Sequence, residues 1–172
     1  MGLSAGLGGG GLLPGLVLVS STTVGSAQSS VPVNNCFTAA YLNYHVVWTG
    51  GYGSSNGTGL RLTVSGATGS TYRYGGYYTD YAAGTISGAG ASGMSYWLVG
   101  EISDTAVTAS FDIFNPQVSG AYTQFAGWTT GHQYARTMHG HETSTASSTG
   151  FTLAPGSGTM TGGTIRVYGY RN

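Results

Sequence analysis

The sequence has no lysine and little charge of either sign. Its cationic side chains are five arginines, five acids balance them, and charged residues make up 6% of the 172 residues. Nucleic-acid binding depends on clustered Lys and Arg that neutralise phosphates, and here single arginines are scattered along the chain. We therefore expect no nucleic-acid partner. A net charge of zero also leaves little repulsion between copies, which favours a homo-oligomer.

Cysteine is nearly absent, and no long uninterrupted apolar run occurs. Cys36 stands alone, which excludes an internal disulfide framework and a thiolate zinc cluster, and we interpret it as a small buried hydrophobe. Residues 1–15 are apolar but have no positive start, and glycines interrupt them, so they fit neither a secretory signal nor a membrane helix. We interpret them as a flexible, Gly-rich arm that anchors the chain to a neighbouring protein through Leu3, Leu7, Leu12 and Leu13.

Glycine, tyrosine, threonine and serine fill the rest of the chain and favour β-structure. Short blocks of β-branched and aromatic residues recur, and turn signals separate them at intervals of about eight to twelve residues. This pattern predicts an all-β fold, an antiparallel β-sandwich or jelly roll of roughly ten short strands, as a single domain over residues 16–172. Segments 50–59 and 84–93 consist largely of glycine and other small residues, and we predict that they are loops.

The block 164–170 near the end of the chain alternates between apolar and polar side chains. Ile165, Val167 and Gly169 share one face of a strand, whereas Arg166 lies on the other. We expect a central or near-central strand whose Ile165 and Val167 point into the core. Gly169 would mark the close approach of another backbone.

Two histidines are the candidates for metal binding. His139 and His141 would share one face of a strand, as two ligands of a metal could. Metal sites usually have three or four ligands with supporting hydrogen-bond partners, and the sequence spacing here brings only two candidate ligands together. We therefore expect no metal and no cofactor, and a polar strand face or a subunit contact remains the alternative for this pair.

Enzymatic motifs are missing. No Gly-x-Ser-x-Gly pattern stands at a strand-to-helix turn, and Ser, His and Asp occur without a spacing that groups them. The five acids are too spread out to name a carboxylate pair for glycoside cleavage. We name no catalytic residue and expect that the chain is not an enzyme.

Tyrosines are concentrated in one segment and are the candidate binding or interface residues. Tyrosine has an apolar body and a polar tip, which suits protein interfaces and carbohydrate faces alike. Some of these rings are expected to pack within the sheet instead. The candidates are Tyr72, Tyr74, Tyr77, Tyr78 and Tyr81.

Both ends of the sandwich region resemble a known family. The stretches that carry the resemblance are 15–26, 31–37, 41–47 and the closing stretch 159–172, Thr-Met-Thr-Gly-Gly-Thr-Ile-Arg-Val-Tyr-Gly-Tyr-Arg-Asn. They are similar to small virion structural proteins of tailed bacteriophages. The resemblance implies a sandwich on the exterior of a virion, often as a trimer, with other virion proteins as partners and no catalytic residues.

Three functions follow as alternatives from these observations. The resemblance implies a tail-fibre or minor tail component, or alternatively a decoration protein of the phage capsid. A free-standing, lectin-like module that binds carbohydrate would share the same bias towards Tyr, Gly and Thr. A host cell-surface glycan is therefore an alternative partner, and no membrane partner is expected.

Overall fold

The computed structural model describes residues 15–171, and in that range it contains strands and turns but no helix. The arm leucines Leu3, Leu7, Leu12 and Leu13 lie outside the described residues. The strands are β1 (Leu16–Thr23), β2 (Val31–Val33), β3 (Asn43–Gly53), β4 (Thr58–Val64), β5 (Tyr72–Asp80), β6 (Ile86–Met94), β7 (Trp97–Ile102), β8 (Val107–Phe114), β9 (Thr123–Thr130), β10 (Tyr134–Glu142), β11 (Phe151–Pro155), β12 (Met160–Thr161) and β13 (Thr164–Tyr170).

The strands form two antiparallel sheets. The large sheet has the order β1-β13-β3-β8-β9-β10-β5-β6, with β12 also paired to β3, and the small sheet has the order β2-β11-β4-β7. Strand β7 of the small sheet packs against β9 and β10 of the large one. The prediction of an all-β, antiparallel sandwich is confirmed, with thirteen strands in the described range where roughly ten were expected.

Alternating side chains explain why these segments are strands. In β8, every second residue from Val107 to Ile113 is buried, and the residues between them point away from the core. The core between the sheets holds large aromatic rings, such as Trp48 and Trp97, both fully buried. Strand β13 follows the predicted pattern, because Ile165 and Val167 are 0% exposed and the strand has a neighbour on each side.

Both predicted loops were partly wrong. Segment 84–93 is mostly strand β6, which pairs along its length with β5. Its small residues lie directly opposite Gly75 and Gly76 of β5. The predicted loop 50–59 shrinks to four residues, because β3 continues to Gly53 and β4 begins at Thr58. Glycine is needed in this extension of β3: a Cβ at Gly51 would lie 2.4 Å from the ring of Trp48.

The expectation for Gly169 was wrong in its detail. A Cβ at this position would lie 2.3 Å from the ring of Tyr41, so a side chain covers Gly169 where another backbone was expected. The tyrosine ring thus takes the space that a larger residue in β13 would need. Among residues 15–171, no helix is long and apolar enough to cross a membrane.

Candidate functional site

The side of the large sheet that faces away from the small sheet is its outer face, and it carries a continuous array of side chains. Because every pair of strands is antiparallel, residues from neighbouring strands line up in rows across the sheet. One row that crosses the whole sheet runs from strand β1 to strand β6 through Leu18, Tyr168, His45, Asp112, Ala126, His139, Gly75 and Gly90.

A polar network forms where this row crosses β3 and β8. His45 of β3 lies directly opposite Asp112 of β8, and its Nδ1 is 2.7 Å from Oδ1 of the aspartate. Ser110, two residues before Asp112 on the same face, places its Oγ 3.3 Å from the other ring nitrogen of His45. Tyr170 of β13 donates its hydroxyl to the same Oδ1 of Asp112 at 2.7 Å.

The electrostatics of this network follow from the carboxylate of Asp112. Partial burial, together with the hydrogen bond to Asp112 and its negative charge, raises the pKa of Tyr170 to about 12. The phenol therefore stays protonated and remains a donor. With Nδ1–H of His45 also directed at Asp112, the Nε2 atom of a neutral ring is left to accept a hydrogen bond from Ser110.

The two candidate metal ligands lie beside a shallow groove on the same outer face. His139 and His141 line a depression of about 340 Å³ together with Phe114, Gln124 and Ala126. The ring of His141 stacks on the ring of Tyr122, with 5.5 Å between the ring centroids. The position of this histidine is therefore explained by aromatic packing. Residues 15–171 contain no group of three or more His, Cys, Asp or Glu side chains that could hold a metal ion.

The structure separates the five candidate tyrosines. Tyr72 is 1% exposed and is a core residue: its ring packs edge-on against Trp97 and its hydroxyl accepts the backbone N–H of Val64. Assigning Tyr72 to an interface was therefore wrong, because the inward face of β5 meets the small sheet. Tyr74 is half-buried and packs against the same core.

The other three tyrosines lie nearer the surface. Tyr77 and Tyr81 are both 51% exposed. Tyr78 points to the inner side at one end of the sandwich, where the guanidinium of Arg136 lies 4.7 Å from its ring centre. Of the candidates, Tyr77 and Tyr81 are thus the rings that a partner could contact directly.

A buried ion pair lies next to Tyr78, on the inner side of the sheet. Glu101 of β7 is fully buried, and its Oε2 is 3.3 Å from Nε of Arg136. The other carboxylate oxygen of Glu101 has no hydrogen-bond partner. Burial raises the pKa of Glu101, and the neighbouring Arg136 lowers it only in part. This pair joins the two sheets and is enclosed by the fold.

Sequence reasoning missed the network of Ser110, His45 and Asp112. Alternation alone places Ser110 and Asp112 on one face of β8, and this was a usable signal. Their proximity to His45, 67 residues from Asp112, depends on the pairing register of β3 with β8. Nothing in a single sequence fixes that register.

Comparisons of the chain with protein-family models, with curated proteins and with solved structures found no match. The class that the structure itself defines is an antiparallel β-sandwich with a broad outer face, on which a polar network and a shallow groove lie side by side.

Proposed function

We propose that this chain is a structural protein of a tailed bacteriophage virion, displayed on the particle exterior as a tail-fibre or minor tail component. This role requires no catalysis. The assignment to a phage comes from the resemblance of both ends of the sandwich region to such proteins. The geometry contributes a separate argument, which concerns assembly.

The observation that carries the proposal is the open edge of the large sheet at β6. Among residues 15–171, strand β6 pairs with β5 on one side only, and its nine residues carry no charge and no proline. Proteins that remain monomeric protect such edges with lysine, proline, bulges or covering loops, because an open edge accepts another strand. Residues 86–92 of β6 carry none of these devices, and the one bulge follows them at Gly93, so this edge favours a molecule that works inside an assembly.

The outer face supports the same conclusion. Large apolar side chains stand exposed across it, from β1 to β6, and each offers surface that association would bury. They are Leu16, Leu18, Trp128, Tyr77 and Ile86. With a formal net charge of zero, copies of the chain do not repel one another, and we propose a homotrimer as the assembled unit.

A lysine introduced on β6 tests the assembly. Gly88 has open space around the position of a Cβ, so Gly88→Lys should fold normally while placing a charge beside the open edge. We expect light scattering to show a trimer for the native chain and smaller species for this variant. Ser119→Lys, at an exposed turn residue, is the matched control and should leave the trimer intact. A native chain that stays monomeric at high protein concentration would contradict the proposal.

Purified virions test the location. The chain should be found among the particle proteins, and its copy number decides between the alternatives. A few copies per particle indicate a tail component, whereas hundreds indicate a decoration protein on the capsid. Absence from the particles would refute both virion roles.

The groove beside His139 favours a second candidate function, carbohydrate binding by a lectin-like module. Exposed Trp128 stands on the same outer face, and its ring could stack on a sugar. The polar side chains of Gln124 and His141 in the groove supply hydrogen bonds. Binding of the isolated chain to an array of bacterial glycans, weakened by Trp128→Ala and unaffected by Tyr52→Ala, would support this function over a purely structural one.

A further inference from the structure

We propose that Ser110, His45 and Asp112 form a nucleophilic site that cleaves carboxylic esters. This activity goes beyond the structural role proposed above and departs from the expectation, drawn from sequence, that the chain has no catalytic residue. It rests on the hydrogen-bond geometry of the outer face and does not depend on where the protein resides.

The three side chains have the connectivity that serine nucleophiles require. A histidine must accept the serine proton through one ring nitrogen while an acid holds the other nitrogen. Here Nε2 of His45 faces Oγ of Ser110 at 3.3 Å, and Nδ1 faces Oδ1 of Asp112 at 2.7 Å. The serine contact is slightly longer than an ideal hydrogen bond, as is common when such sites hold no substrate.

A fourth residue fixes the orientation of the acid. The hydroxyl of Tyr170 donates to the same Oδ1 that receives His45, so two donors converge on one carboxylate oxygen. The two donors fix the position of this oxygen. Asp112 and Tyr170 are therefore positioning residues, which hold the histidine in the form that leaves Nε2 free to accept a proton.

The site is open to a ligand from the outer face. The side chains of His45 and Asp112 are 23% and 32% exposed. On the other side of Ser110, Trp128 of β9 is its direct cross-strand partner and is 45% exposed. An ester whose apolar or sugar face stacks on this indole would have its carbonyl carbon close to Oγ of Ser110. The substrate class is therefore an acyl ester of a sugar or of another ring-containing alcohol.

Stabilisation of the transition state must come from a side chain. Ser110 is paired with Val47 on one side and Trp128 on the other, so its backbone belongs to the sheet ladder. Arg166 lies in the same row, but Val47 stands between it and Ser110, so Arg166 is not a positioned donor for the developing oxyanion. Loss of one oxyanion-hole donor slows serine hydrolases about 10²- to 10³-fold, so we expect slow turnover.

The reaction proceeds by two acyl transfers. Oγ of Ser110 attacks the ester carbonyl while its proton passes to Nε2 of His45. The carbon–oxygen bond to the alcohol then breaks, and the departing alkoxide takes that proton, leaving an acyl-serine. Water, deprotonated in the same way by His45, hydrolyses the acyl-serine to a carboxylic acid and restores Ser110.

Covalent labelling of the intact chain tests the proposal. We expect a fluorophosphonate probe to add once, and peptide mapping by mass spectrometry to place the adduct on Ser110. Ser110→Ala should abolish labelling and the hydrolysis of p-nitrophenyl acetate above the background rate. Ser92→Ala, which removes an exposed serine hydroxyl from β6, is the matched control and should behave like the native chain.

Two further variants separate catalysis from a structural role. His45→Ala should lower the rate of labelling by at least about 10²-fold. Added imidazole should restore part of this rate, which it could not do if the histidine were merely structural. Asp112→Asn should slow labelling to a similar extent while circular dichroism shows an intact fold. An adduct located elsewhere, or native labelling rates in folded His45→Ala, would overturn the proposal.

Discussion

Replacing Arg136 by methionine isolates the cost of burying the carboxylate of Glu101. The side chain of Glu101 is 0% exposed and that of Arg136 is 13% exposed, so the carboxylate has been removed from water far more completely than its partner. Methionine keeps most of the apolar stem of Arg136 but removes the positive charge. Glu101 is then left as an uncompensated buried charge, whose second oxygen already has no partner.

We expect Arg136→Met to lower the free energy of unfolding by about 3–5 kcal/mol at neutral pH, the usual effect of breaking a buried ion pair on one side. The double variant Arg136→Met/Glu101→Gln should recover most of this loss, because a neutral amide is cheaper to bury than a carboxylate. The two substitutions together therefore distinguish the cost of an unpaired charge from the loss of packing around Arg136.

The pH dependence of the effect has a definite sign. Burial raises the pKa of Glu101 in the folded protein, so the contribution of this group to stability is fully present below its unfolded pKa and is lost as pH rises through the folded value. Without Arg136 the folded pKa rises further. The destabilisation by Arg136→Met should therefore be smaller at about pH 5 than at about pH 8.

Urea denaturation followed by tryptophan fluorescence measures these free energies. Arg166→Met, on the outer face, is the matched control and should change stability by less than about 0.5 kcal/mol. Equal small losses for both arginine variants, or a double variant as unstable as Arg136→Met, would refute the reasoning about the buried carboxylate.

Three further predictions test the packing. Ile165→Ala should lower the free energy of unfolding by about 2–5 kcal/mol because its side chain is fully buried, whereas Arg166→Ala should have little effect in the same urea titration. Gly127→Ala should lower the free energy of unfolding by at least about 1–3 kcal/mol, because a Cβ there would lie 2.2 Å from a side-chain atom of β8. Gly88→Ala, where a Cβ would meet open space, is the control and should leave thermal unfolding unchanged. Burial raises the pKa of Cys36 to about 12, so a maleimide at neutral pH should modify it only after denaturation.

The fold was predictable wherever side chains alternate between the core and the outside. Strands β8 and β13 were located from this alternation, because residues that suit the core alternate with polar or larger outward residues. Strand β6 carries no such signal, because its nine residues are mostly Gly, Ala and Ser. It forms through backbone pairing with β5. Tertiary pairing, which a local pattern does not contain, decides the state of such segments.

The candidate site was less predictable than the fold, for a geometric reason. A tyrosine-rich stretch is visible in the sequence, but the face that each ring occupies depends on which side of β5 the small sheet covers. Tyr72 and Tyr77 illustrate the difference, since one is buried against Trp97 and the other is half-exposed. Similarly, the contact between His45 and Asp112 arises from strand pairing and has no local signature.

The placement of the acids explains how a chain with so few charges can serve both proposed roles. Four of its five acids are held in contacts within the molecule: Glu101 faces Arg136, Asp112 faces His45, Glu142 accepts hydrogen bonds from Ser144, and Asp80 accepts backbone N–H groups of its own turn. Glu101 and Glu142 are also buried, which leaves three acids near the surface to repel a second copy. Because Asp112 is one of these four, the contact that holds its carboxylate also aligns His45 with Ser110, on the same outer face that carries the exposed apolar side chains.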